Sequence, residues 1–287
     1  MTRAPLPIPS PIPASYQPTS TIETHPLTTP LETILTILSR DGGIIIKDFI
    51  PQSDLTSITT ELEPWSTTPR RDSTPNNPNK PNDAFHTIPP PNEPRPGLGA
   101  IEMNSIDPLL SLSVSLNIGY GAPRQLLHRD DNVHHIRHKG GEKWGFDEAS
   151  QFGCLIAGCD VTREMGATMF VPGSHRWGDD RMAGAGEVCF AEMTAGSALI
   201  FLASTFHGGG HNSVPGTVRT MHSLFFVRGN LRTEENQFLA VPRSKVREMG
   251  PKMLELLGYK KPTTALGIVD NISPHEDIDG VWERAMQ

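Results

Sequence analysis

His128 and Asp130 flank a single arginine, and theirs is the spacing in this 287-residue chain that most directly suggests chemistry. In an extended segment, positions i and i+2 project to the same side, so an imidazole and a carboxylate converge on one point. Two facial ligands of a metal ion need that geometry. The third donor must come from elsewhere, and His207 is the candidate. It ends the apolar run SALIFLASTF and is followed by Gly208, Gly209 and Gly210. His211 closes the same HGGGH stretch and competes for the role, but the end of an apolar strand is the better rim for a buried pocket. Two histidines and one carboxylate leave three positions open, the donor pattern of non-haem iron(II) oxygenases. Against this stands the fact that His-x-Asp pairs arise by chance and most do nothing.

The other donor types read more plainly. His134, His135 and His138 are polar loop residues, and Cys154 and Cys159 are small core residues. Arg219 follows His207 by a short span and opens a strand that can lie beside it. An arginine there is commonly a solvated edge residue. An oxygenase that consumes 2-oxoglutarate must also hold the carboxylate far from the metal, and a planar, permanently charged, bidentate guanidinium suits that task better than lysine.

These residues need a scaffold to position them. SLSVSLNI (111–118) alternates strictly and sets Leu112, Val114, Leu116 and Ile118 on one face. Further strand-like runs cover 44–50, 152–158, 167–171, 187–193, 197–204 and 219–227, most of them separated by glycine or proline. Many short strands at this spacing predict a sandwich, barrel or jelly roll. A helix is predicted from Leu31, with Thr29 capping, Pro30 at the first helical position, Glu32 completing a capping box and Gly42-Gly43 ending it. A second helix covers about 53–62 and a last helical stretch about 243–257.

Composition sets the outer limits. The 27 prolines concentrate in residues 1–30 and 64–96, which read as an extended tail (1–28) ahead of a single domain over 29–287 and a long loop within that domain. The net charge of −7 argues against a general nucleic-acid binder, and no apolar run is long enough to cross a membrane. Three cysteines without a CxxC pair suit a reducing, cytoplasmic setting.

The stretches DGGIIIKDFI (41–50), RQLLHRDD (124–131), GATMFVPGSHRW (166–177), GSALIFLASTFHGGGHN (196–212), LRTEENQFLAVP (231–242) and LLGY (256–259) resemble the phytanoyl-CoA dioxygenase family of iron(II)/2-oxoglutarate dioxygenases, in its fungal secondary-metabolism branch. The resemblance implies a mainly β fold with outer helices around a double-stranded β-helix, the cupin-like jelly roll. It implies iron held by His128, Asp130 and His207, 2-oxoglutarate held by Gln125, Thr168 and Arg219, and O2 as the oxidant. Gln125 lies three residues before His128, an odd separation that demands a turn. The implied substrate is an apolar small molecule, a meroterpenoid or alkaloid intermediate, and the implied assembly a homodimer. Hydroxylation, desaturation, rearrangement and endoperoxidation all remain open. The competing functions are a non-catalytic ligand-binding jelly roll and an acyl-CoA hydroxylase drawing on HHIRHKGGEK (134–143).

Overall fold

Short β-branched and aromatic runs separated by turn residues pair into two facing sheets. The computed structural model describes residues 10–66, 84–87, 108–141, 144–184, 186–259 and 274. In chain order its elements begin with β1 (Thr24–Pro26), α1 (Leu31–Asp41), β2 (Gly43–Lys47), α2 (Gln52–Ser66), β3 (Ala84–Thr87) and β4 (Pro108–Gly119). There follow β5 (Gln151–Ala157), β6 (Thr168–Phe170), β7 (Cys189–Ala191), β8 (Ala198–Leu202), β9 (His207–Gly208) and β10 (Val218–Arg228). Three short helices come last: α3 (Gln237–Ala240), α4 (Arg243–Val246) and α5 (Pro251–Leu256). The larger sheet runs β1-β2-β8-β5-β10-β4-β3 and the smaller β7-β6-β9. This is the expected jelly roll with helices outside it.

The large sheet is covered on both faces. Its inner face sets Ile45, Leu155, Leu199, Phe201 and Met221 against Phe170 and Ala191 of the small sheet. Its outer face sets Ile44, Phe152, Cys154, Ile200 and Phe226 against Leu38 of α1, Leu55 of α2 and Met253 of α5. Double coverage explains a feature of β4 that alternation alone misses. Leu112 and Val114 share one face as predicted, but Ser113 and Ser115 on the other face are the more deeply buried, at 1% and 2% exposure. The polar residues of an alternating strand meet solvent only when one face is open.

The helices depart from expectation in two places. Pro30 is the N-cap of α1, without a side-chain cap bond. The Thr29 hydroxyl donates instead to the Pro26 carbonyl at 2.7 Å and closes the preceding turn, so no capping box forms. The C-terminus behaves as predicted: Gly42 adopts φ 78° and its N–H bonds the Leu38 carbonyl. The stretch expected as one helix over 243–257 is broken between α4 and α5, because Pro251 has no N–H to continue the ladder.

The proline-rich segments also take shape. α2 runs through Pro64 to Ser66, and β3 lies inside the predicted loop over 64–96; the rest of that loop falls outside the described residues. The tail, described from residue 10, is laid against the small sheet. The Tyr16 hydroxyl donates to the Val188 carbonyl at 2.8 Å, and Arg163 donates to the Tyr16 and Pro13 carbonyls. Among the described residues, no helix is long and apolar enough to cross a membrane.

Two buried histidines outside the site predict how stability depends on pH. Burial pushes His175, on the turn after β6, and His222, on the outer face of β10, down to about 4. The unfolded chain keeps the ordinary value near 6.5, so between these values it binds more protons than the native state. Each histidine thus leaves stability intact above about pH 7 and removes it as the pH falls towards 4, by up to about 3 kcal/mol. Thermal melts of wild type and His222→Asn across pH 8 to 4 check this: the variant should show the shallower acid slope.

Candidate metal centre

Arg129 is extended, at φ −113° and ψ 131°, so His128 and Asp130 do project to one side; a 3-10 turn, Asp130–His134, begins immediately after. This segment runs beside the chain around β9. His128 N–H donates to the His207 carbonyl at 2.9 Å and the bond is returned at 3.0 Å. The backbone thus brings both imidazoles to the carboxylate. Asp130 Oδ1 lies 3.4 Å from His128 Nε2, and Oδ2 lies 3.2 Å from His207 Nε2. All three ligand atoms lie within 4.8 Å of one another.

The protonation pattern is set by the backbone. Each ring points Nδ1 at a carbonyl, His128 at Leu126 (2.8 Å) and His207 at Thr205 (3.0 Å). A carbonyl can only accept, so Nδ1 carries a proton in both rings and Nε2 is the nitrogen that faces the shared centre. Burial pushes the Asp130 carboxyl up, but His207 and His128 together outweigh it and hold it well below the usual carboxylate range. Asp130 Oδ2 is buried with no hydrogen-bond partner among the described residues. Two imidazole nitrogens and an ionised carboxylate converging on one point need a cation between them, either a proton held on Nε2 or a metal ion in its place. The donor set, two nitrogens and one oxygen, fits iron(II).

A second group gathers beside Gly209. Its N–H donates to Gln125 Oε1 at 2.6 Å, and Gln125 N–H donates back to its carbonyl at 2.8 Å. A Cβ on Gly209 would lie 3.2 Å from Gln125 Oε1 and 3.3 Å from Arg219 Nη2, so the glycine keeps open the space these side chains share. Arg219 is 2% exposed, faces the inside of the large sheet and donates to the Gly166 carbonyl. Thr168 is buried on the inner face of β6, where the pairing Met169↔Gly208 carries it towards Gly209. The turn that Gln125 requires is present, because residues 120–127 form no regular strand. His211 is not part of the cluster: its Nδ1 faces the Ala122 carbonyl at 2.8 Å.

Comparison with known proteins identifies the family. The sequence matches the phytanoyl-CoA dioxygenase (PhyH) family over residues 38–221. The chain belongs to that family. Dioxygenase swnH2 of Arthroderma benhamiae is 44% identical over 96% of this chain and 96% of its own length. Dioxygenase swnH1 of Metarhizium robertsii is 43% identical over 94% and 96%, and dioxygenase peniF of Penicillium patulum 30% identical over 87% and 89%. Among solved structures, HygX from Streptomyces hygroscopicus with nickel and 2-oxoglutarate bound superposes with a TM-score of 0.55 at 14% identity, over 71% of this chain and 90% of its own. That likeness shows the shared jelly-roll fold. The phytanoyl-CoA dioxygenase relative described here is thus an oxidoreductase that uses iron(II), 2-oxoglutarate and O2.

Residue type and spacing did not single out the groups packed behind the centre of this family member. Asp131 is 1% exposed and holds His138 Nε2 at 3.2 Å, so one of the three predicted loop histidines anchors the loop after the centre. Arg129, between two of the cluster residues, is 3% exposed. The signal was a charged residue flanked by donors, but spacing alone does not say which way it turns. Residues 136–141 of the predicted loop line a cavity of about 230 Å³ together with Trp144, Arg176 and Trp177.

Alanine at His128, Asp130 or His207 should leave a folded protein that no longer retains iron(II), because each side chain faces the shared centre rather than the core. The loss should exceed the roughly 10–100-fold that removing an outer-shell partner costs. His211→Ala should bind iron as wild type does. Anaerobic iron titration with circular dichroism as the fold control checks both.

Proposed function

We propose that His128, Asp130 and His207 hold iron(II), that Gln125, Thr168 and Arg219 hold 2-oxoglutarate, and that the enzyme oxidises an apolar intermediate of fungal secondary metabolism, a meroterpenoid or an alkaloid. The observation that carries this reading is the convergence of three lone-pair donors, with an orphaned buried carboxylate oxygen, beside a cradle walled by Gln125 and Arg219. Similarity to fungal proteins named dioxygenases supports it. The outcome is hydroxylation, desaturation, rearrangement or endoperoxidation of that substrate. We further infer one catalytic domain over 29–287 behind the tail, acting in the cytoplasm as a homodimer.

When bound, iron(II) chelated by 2-oxoglutarate supplies oxygen activation coupled to decarboxylation to succinate. The protein supplies the rest. The Leu126 and Thr205 carbonyls lock both imidazoles with Nε2 towards the metal. The Asp130 carboxylate stays ionised and balances part of the metal's charge. The Phe201 ring, 4.5 Å from that of His207, keeps water from the ligand's inner side. Arg219 offers a permanent cation and Gln125 an amide to the distal carboxylate, while Thr168 offers a hydroxyl nearby.

Arg219→Ala tests the assignment. It would leave that carboxylate desolvated without its partner, which costs on the order of 3–5 kcal/mol. The 2-oxoglutarate dissociation constant should rise about a hundredfold or more, and lysine should restore only part, because it lacks the bidentate fork. Iron binding should persist. Titration of the iron-loaded variant, followed by the visible charge-transfer band of the chelate, reads this directly. An unchanged constant would remove Arg219 from the site.

A further inference from the structure

The VPGSH turn (171–175) takes no part in either donor set, yet it lies between the two segments that carry the iron donors. The Phe206 N–H donates to Ser174 Oγ at 2.8 Å. The Ser174 carbonyl accepts Arg129 Nη2 at 2.9 Å, and the Trp177 carbonyl accepts the same nitrogen at 2.8 Å. Arg129 Nη1 reaches Asp179 at 3.2 Å, and the guanidinium lies 4.3 Å from the centre of the Phe206 ring. Arg129 separates His128 from Asp130, and Phe206 immediately precedes His207. Ser174 is fully buried.

We propose that Arg129, Ser174 and Phe206 form a clamp that fixes the angle between the His128–Asp130 segment and His207, and so sets iron affinity without touching the metal. The proposal rests on the reading that His128, Asp130 and His207 hold iron. It follows from what the backbone leaves undone. His128 and His207 meet in an isolated bridge rather than a ladder of paired residues, and an isolated bridge leaves the relative tilt of two segments weakly defined. Because Arg129 is extended, its side chain leaves on the side opposite to the two ligands. There Nη2 donates to the Ser174 carbonyl in the VPGSH turn and to the Trp177 carbonyl just after it, the guanidinium face lies on Phe206, and Ser174 Oγ accepts the Phe206 N–H. Three points then define the tilt. A lysine ammonium can reach these carbonyls but offers no planar face to lie on the Phe206 ring.

The test compares Arg129→Lys, Ser174→Ala, their double variant and Asp179→Asn as a control. The readouts are iron(II) affinity by anaerobic titration, the visible band of the iron–2-oxoglutarate complex, and melting temperature. Both single variants should melt cooperatively yet bind iron about 10–100-fold more weakly, the range typical of outer-shell partners, with a shifted or weakened band. The double variant should be little worse than the weaker single, because both residues serve one contact. Asp179→Asn, which removes only the exposed charge partner, should match wild type. If Arg129→Lys does not fold, Ser174→Ala, which deletes one oxygen, carries the test. Lower melting temperatures with unchanged iron affinity and band would make the cluster merely structural and overturn the clamp. Weakening by Asp179→Asn alone would overturn it in favour of charge pairing. Failure of wild type itself to bind iron would instead overturn the reading of the site.

Discussion

The site depends on one short strip of backbone pairing. Gln125 N–H donates to the Gly209 carbonyl (2.8 Å), His128 to His207 (2.9 Å) and Asp130 to Ala203 (2.9 Å), so residues 125–130 run alongside 203–209 in the opposite direction. One alignment places both functional groups. A slip along this strip would separate Gln125 from Arg219 and Asp130 from His207 together. The strip is irregular, with only one residue pair bridged, and its surroundings must therefore supply its rigidity. On the far side lie Arg129, Ser174 and Phe206; on the near side Phe201 packs on His207. The α1 cap contributes as well. The Thr205 hydroxyl donates to the Gly42 carbonyl at 3.1 Å, while the Thr205 carbonyl orients His207. A Cβ at Gly42 would collide with Thr205 Oγ1, so the glycine that ends the first helix also clears room for the residue whose carbonyl orients His207.

How far the sequence discloses this site depends on whether a signal is local. The HxD spacing is local, and Arg129 proves extended as the argument needed. The choice between His207 and His211 is not local. Both flank the same glycines, and they differ because His207 bonds back to His128, whereas His211 turns to Ala122. Gln125 was unreachable from periodicity, since the pairing that brings it to Gly209 follows a turn in an irregular segment. The sequence assigns Arg129 no role, and only the distant VPGSH turn shows where its side chain goes.

The fold divides in the same way. Strand positions were readable because β-branched and aromatic runs stop at glycine and proline. The burial of Ser113 and Ser115 was not, because it depends on helices that arrive from elsewhere in the chain to cover the outer face. The capping box failed for a competing local reason: the Thr29 hydroxyl had a nearer acceptor in the turn before the helix. Pro251 broke the last helix as proline must, and the apolar periodicity running through it concealed the break.

Charge balance ties the two halves of the proposed site together. A dication, the Asp130 carboxylate, the 2-oxoglutarate dianion and the Arg219 guanidinium sum to no net charge. In a pocket where Arg219 is 2% exposed, that neutrality is what makes full loading tolerable. Without the ligands, the same pocket brings a buried carboxylate and two imidazole nitrogens to one point. Such an arrangement is costly when empty and persists only if the scaffold over-determines it. The glycines after His207 meet that demand through proximity. A Cβ on Gly210 would lie 2.6 Å from the Ala167 carbonyl, and one on Gly209 would intrude between Gln125 and Arg219. Close backbone packing there holds the donors in place before any ligand arrives, so binding energy is not consumed in assembling the site.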